Sequence, residues 1–113
     1  MNWNPIYVLV KKIPRGRVMT YGQLGKALRL PGGARTAGRA MAASPSGQGV
    51  PWHRVVGAGG RLLIREPYAS LQRKLLESEG LALAEKRILD FRNFEWSPAK
   101  ARRRGVAKKK KRG

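Results

Sequence analysis

The chain has no cysteine in 113 residues. That absence removes disulfides, thiolate nucleophiles and the common zinc sites together. Histidine occurs once and Asp plus Glu six times. This supply of ligands is too small for a transition-metal site, and no metal or cofactor is expected. The acids are also confined: all six lie between Glu66 and Glu95, and residues 1–65 carry none. No apolar run approaches the roughly 18 residues that span a membrane, so no membrane partner is expected. Met1 to Val10 lacks the basic start and small-residue cleavage site of a secretory signal. A cytoplasmic, nucleoid-associated monomer is the expectation.

What the chain does have is positive charge. Lys plus Arg number 25, for a formal net charge of +19. Eleven of them stand in the acid-free residues 1–65, and nine follow Pro98. A folded region of one sign repels itself, and a polyanion relieves the repulsion. Nucleic acid is the natural partner. The apolar fraction of 42% supports one small core. We read residues 1–98 as a single domain and residues 99–113 as a disordered basic tail.

The pattern predicts an α+β fold, mainly helical. A helix is expected over 2–13, with Asn4 as N-cap, Pro5 in the first turn, and Ile6, Leu9, Val10 and Ile13 as the apolar stripe. Thr20 reads as the cap of a second helix over 21–30, with Leu24, Ala27 and Leu28 facing inward. The turn Pro31-Gly32-Gly33 leads to a third helix over 34–43, built of small residues with Arg35 and Arg39 one turn apart. Helix, glycine turn, short helix is a helix-turn-helix pattern. Small side chains let a helix press its backbone into a narrow groove of DNA. Arg54-Val55-Val56 and Arg61-Leu62-Leu63-Ile64 flank Gly57-Ala58-Gly59-Gly60, which predicts a short β-hairpin wing. A further helix over 68–79 should face Leu71, Leu75 and Leu76 inward and end at Gly80. Ile88-Leu89-Asp90-Phe91 reads as a last strand, and Phe94 and Trp96 as a cover on the core edge.

One stretch concentrates the chemistry. Pro51-Trp52-His53-Arg54-Val55-Val56 holds the sole histidine directly after a tryptophan, at the join of a loop and a strand.

These residues resemble a known family. Ile13-Pro14-Arg15-Gly16-Arg17-Val18-Met19-Thr20-Tyr21-Gly22 is similar to the opening of the C-terminal domain of O6-alkylguanine-DNA alkyltransferases. Gly33-Ala34-Arg35-Thr36-Ala37-Gly38 resembles that family's recognition helix with its arginine finger. Pro51-Trp52-His53-Arg54-Val55 resembles the active-site motif Pro-Cys-His-Arg-Val, and Leu75-Leu76-Glu77-Ser78-Glu79-Gly80 the closing Leu-Leu-x-x-Glu-Gly. The resemblance covers roughly residues 4–97. It departs at one decisive place, because the family's cysteine is Trp52 here. Alkyl transfer is attack on saturated carbon and needs a soft, ionised nucleophile, and an indole offers none. The resemblance is therefore to the cysteine-free, alkyltransferase-like branch. It implies no enzyme but a protein that binds O6-alkylguanine in duplex DNA through the minor groove, flips it, and hands the lesion to nucleotide excision repair proteins.

Carried over by residue, the resemblance implies that Arg35 fills the hole left by the flipped nucleotide and that Tyr21 turns the adjacent phosphate. Gly38 and Arg39 would lie on the same DNA-binding helix face. Met41 would wall the flipped base, Trp52 would face its alkyl group, and Val55 and Val56 would meet the base edge with backbone groups. His53 and Glu79 would order the pocket floor as the remnant of a relay, with nothing left to activate. Ser44 stands where the family usually has asparagine, which weakens the bridge from that relay to the backbone. Plainer alternatives exist: Tyr21 and Met41 as core, Arg35 on phosphate alone. The competing functions are a winged-helix binder without lesion specificity, architectural or transcriptional, and, ranked last, a hydrolase using His53 and Glu79.

Overall fold

The computed structural model describes residues 3–43 and 49–98. Ser44 and residues 99–113 lie outside the described residues, and with them the expectations of a bridge at Ser44 and of a separate tail. The fold is α+β. The elements run α1 (Asn4–Val10), β1 (Met19–Thr20), α2 (Tyr21–Ala27), α3 (Ala34–Ala42), a 3-10 turn (Trp52–Arg54), β2 (Val55–Val56), α4 (Tyr68–Ser78), β3 (Leu83–Ala84), β4 (Arg87–Ile88) and α5 (Phe91–Phe94).

Helix α1 is shorter than expected. Asn4 is its first residue, and Trp3 occupies the cap without a side-chain cap bond. All four stripe residues, Ile6, Leu9, Val10 and Ile13, are buried. Thr20 caps α2 as expected, and the cap is reciprocal: the Gln23 N–H donates to Thr20 Oγ1, and the Thr20 N–H donates to Gln23 Oε1. The helix closes at Ala27, which is exposed, and its buried face is Leu24 and Gly25. A Cβ on Gly25 would lie 2.5 Å from the Gly33 carbonyl carbon, so glycine alone permits the approach of α2 to the turn before α3. That turn uses backbone open to glycine, with Gly32 at φ 83° and Gly33 at φ 50°.

The hairpin stands elsewhere than expected. Val55–Val56 pairs in parallel with β1, Met19 opposite Val55 and Thr20 opposite Val56. The antiparallel hairpin is β3–β4, Leu83 opposite Ile88. Residues 61–62 run beside it, with an Arg61–Arg87 bridge and the Leu62 N–H donating to the Lys86 carbonyl. The glycine turn does close, Gly57 N–H to Arg61 carbonyl. However, β1 already occupies the ladder of Val55 and Val56. The expected last strand also ends early, because Asp90 at φ 53° turns the chain into α5.

The short β1–β2 pair divides the interior. Successive strand residues face opposite sides. Met19 and Val55 join a cluster with Ile6, Leu9, Val10, Ile13, Leu24, Ala37, Ala40 and Met41. Val18 and Val56 join Leu62, Leu76, Leu81, Leu83 and Ile88 on the other side. Phe94 packs against the second cluster and Trp96 against the first, as a cover on the core edge should.

Helix α4 ends in a Schellman motif. The Leu81 N–H reaches the Leu76 carbonyl, the Gly80 N–H reaches the Glu77 carbonyl, and Gly80 sits at φ 95°. Its inner face is Ala69, Gln72 and Leu76, whereas Leu71 is 45% exposed.

Candidate nucleic-acid interface and pocket

Helix α3 has two faces set by its period. Thr36, Ala37, Ala40 and Met41 are buried. Arg35 and Arg39 are exposed one turn apart, with Gly38 between them. No atom stands within 4 Å of a Cβ built on Gly38, so this face presents bare backbone flanked by two cations. Two devices hold it outward. The Tyr7 hydroxyl donates to the Ala40 carbonyl at 3.0 Å, and the Thr36 hydroxyl donates to the Pro31 carbonyl.

Tyr21, Met41, Trp52 and Val55 meet on one cluster, Tyr21 and Trp52 as partly buried rings packed against it. Met41 is a member of that core at 6% exposure. Burial raises the Tyr21 phenol above its ordinary pKa, so the hydroxyl stays neutral. Val55 and Val56 are 0% exposed, backbone and side chain together, so the structure does not open the base-edge contact expected of them. Arg35, Gly38 and Arg39 stand on the outer face of α3, outside this cluster.

Glu79 is the hub of a largely buried polar cluster. Its side chain is 5% exposed. It accepts from His53 Nε2 at 2.8 Å, from Arg54 in a fork at 2.8–3.2 Å, and from the Gly16 N–H at 2.9 Å. Burial pushes its carboxyl up, but the hydrogen bonds from Arg54, Gly16 and His53 outweigh it and leave the pKa lowered to about 2. Burial lowers the His53 imidazole, with Arg54 and Arg15 adding to the effect and Glu79 opposing it. The imidazole is thus neutral near pH 7, and Nε2 donates to the carboxylate. Arg54 also donates to the Ile13 carbonyl at 3.0 Å. One carboxylate therefore ties α4 to the turn after α1 and to the 3-10 turn.

Three further residues belong here that sequence reasoning missed. Arg54 enters the sequence reading only as part of a motif, yet it is the stronger partner of Glu79. Gln72, 1% exposed, donates from Nε2 to the carbonyls of His53 and Val55 at 3.2 and 3.1 Å. A glutamine amid leucines on a helix face was the available signal. Tyr68 meets Trp52 edge to face, with ring centroids 6.4 Å apart; nothing local pointed to it. Trp52 makes a similar contact with His53 at 6.3 Å. Among the described residues, no group of three His, Cys, Asp or Glu could hold a metal ion.

The chain thus carries a cationic, small-residue outer face on α3 and, separately, a largely buried histidine–carboxylate pair with no thiol anywhere in the sequence. Residues 3–81 match the family of the 6-O-methylguanine DNA methyltransferase DNA-binding domain. The chain is 33% identical over 93 residues to a DNA base-flipping protein of Vibrio parahaemolyticus, covering 82% of this chain and 93% of that one. The solved structure of the Schizosaccharomyces pombe alkyltransferase-like protein with DNA superposes with a TM-score of 0.74 at 30% identity, covering 85% and 94% of the two chains. A second structure of that protein, with damaged DNA containing O6-carboxymethylguanine, gives 0.69 at 30% identity over 87% and 100%. The chain belongs to the methyltransferase DNA-binding-domain family, as one of its alkyltransferase-like members. With no cysteine, it lacks the alkyl acceptor of the transferases.

Proposed function

We propose that this chain is a non-enzymatic sensor that binds O6-alkylguanine in duplex DNA, flips it into a pocket walled by Trp52, and marks it for nucleotide excision repair. The observation that carries this reading is that Tyr21, Met41, Trp52 and Val55 all belong to, or pack against, one apolar cluster. Beside it the His53–Glu79 pair survives at 2.8 Å in a chain with no thiol to activate. A pocket retained without its nucleophile is suited to recognition. The relatives add support, one being named for base flipping and another solved on DNA with an O6-alkylated guanine.

In this reading α3 enters the minor groove, where Gly38 and the neighbouring alanines allow close approach. Arg35 replaces the flipped base in the stack, and Tyr21 crowds the phosphate. Unstacking costs a few kcal/mol and is least for a poorly paired base such as alkylated guanine. Met41 shows the base only the edge left by its burial. Trp52 offers an apolar face to the alkyl group. Gln72 holds the strand behind Trp52 in place through the carbonyls of His53 and Val55. Arg39 binds phosphate.

The deciding experiment measures binding to a duplex with one O6-methylguanine against the same duplex with guanine. The sensor prefers the first. Equal affinity would instead make the chain a general helix-turn-helix DNA binder.

A further inference from the structure

Seven of the eight aromatic side chains pack against one of the two cores: Trp3, Tyr7, Tyr21, Trp52 and Trp96 against the first, Phe91 and Phe94 against the second. Tyr68 is the exception. It is 56% exposed, which leaves much of the ring open to a ligand. It is nevertheless held in place. Tyr68 is the first residue of α4, and Gln72 follows it by one turn on the same face. Gln72 clamps α4 onto the carbonyls of His53 and Val55. The clamp sets the Tyr68 ring against Trp52 at 6.4 Å and 88°.

We infer that Tyr68 is a second aromatic wall of the lesion pocket and sets its preference for bulky, flat O6-substituents over methyl. Two rings at right angles make an apolar corner. A planar substituent placed there stacks on one ring and meets the edge of the other, which are the two favoured aromatic geometries. It also covers the exposed part of Tyr68. A methyl group reaches only the ring nearest the guanine oxygen, which is Trp52 in the proposed sensor. Trp52 therefore serves every alkyl lesion, and Tyr68 adds affinity only for those large enough to span the corner. The inference rests on the proposed lesion-binding role of Trp52.

The test compares the full-length protein with its Tyr68→Ala and Tyr68→Phe variants on three duplexes that carry guanine, O6-methylguanine or O6-benzylguanine at one position. Tyr68→Ala should weaken the benzyl duplex by roughly threefold to tenfold, the worth of one aromatic pair, and change the methyl duplex by less than about twofold. Tyr68→Phe, which keeps the ring, should retain benzyl binding. Equal losses on the methyl and benzyl duplexes would overturn the inference, as would no loss on either, while leaving the sensor reading intact. A wild-type protein that binds all three duplexes alike would remove the sensor reading and this inference with it. Thermal melts of both variants separate unfolding from a weakened pocket, and because Tyr68 lies outside both cores, little change is expected.

Discussion

His53 Nε2 lies 2.8 Å from Glu79 Oε2, the same oxygen that accepts from Arg54 Nη2 at 2.8 Å. Glu79 titrates lower in the folded chain, about 2 against an ordinary 4.5. Its stabilisation is therefore complete above 4.5 and is lost as pH falls toward 2. His53 also titrates below its ordinary 6.5. Its contribution is present above 6.5 and is lost as pH falls through the lowered folded value. Both losses lie on the acid side. Glu79→Gln should cost roughly 2 kcal/mol at pH 7, since the amide keeps part of the hydrogen bonding but not the charge. Urea unfolding at pH 7, 5 and 3 checks this: the gap between wild type and variant should shrink toward pH 3. A gap constant with pH would show that the charge of Glu79 is immaterial.

Gly25 faces the Gly33 carbonyl with no room for a methyl group. Gly25→Ala should push α2 away from the turn before α3 and destabilise the domain by roughly 1–3 kcal/mol, the usual cost of overpacking. Denaturant midpoints read the loss. Gly38→Ala, inside α3 at a site with no atom within 4 Å, should raise stability by roughly 0.5–1 kcal/mol and weaken DNA binding.

Arg35→Ala should abolish the preference for O6-methylguanine while retaining part of the affinity for undamaged duplex. Arg39→Ala should weaken both duplexes alike, because phosphate contacts carry no lesion information. Fluorescence anisotropy with the paired duplexes distinguishes the two arginines. The same loss of preference in both variants would contradict separate roles.

Deletion of residues 99–113 removes nine basic residues and no acid. Binding to lesion and control duplexes should weaken by the same factor. The salt dependence should flatten by about 0.9 in log–log slope for each phosphate that is no longer neutralised. A change in lesion preference on deletion would show that the segment reaches the pocket.

The legible parts of the fold are those written within a turn or two of chain. Thr20 with Gln23 forms a capping box, and Gly80 ends α4, because caps join groups at most five residues apart. The stripe Ile6–Leu9–Val10–Ile13 is readable for the same reason. The misplaced hairpin shows the limit. Val55-Val56 and residues 61–64 carry a sound local hairpin signal, yet Val55 pairs with Met19, and residues 61–62 run beside β4 instead. A β-branched run states that it will be a strand and not which strand it will meet. Leu71 fails likewise: its spacing suits burial, but α4 turns Gln72 inward to satisfy two carbonyls.

Of the site, the motifs point to His53 with Glu79, to Trp52, and to Arg35 and Arg39, through resemblance and charge. They give no hint of Arg54 on Glu79 or of Tyr68 on Trp52. Those pairings join residues that are 25 and 16 positions apart in sequence.

The sequence by itself determined the chemistry: without cysteine there is no thiolate to accept an alkyl group, and +19 charges with an acid-free first half call for a polyanion. Composition decides such matters because nucleophiles and net charge belong to the residues themselves. Only the tertiary structure decided how the candidate site is put together. The β1–β2 pair sends Val55 and Val56 to different cores, one carboxylate gathers three distant donors, and the clamp at Gln72 lays Tyr68 against Trp52. Such arrangements follow from which surfaces exclude water together when the chain closes on itself, and no local period in the sequence encodes that.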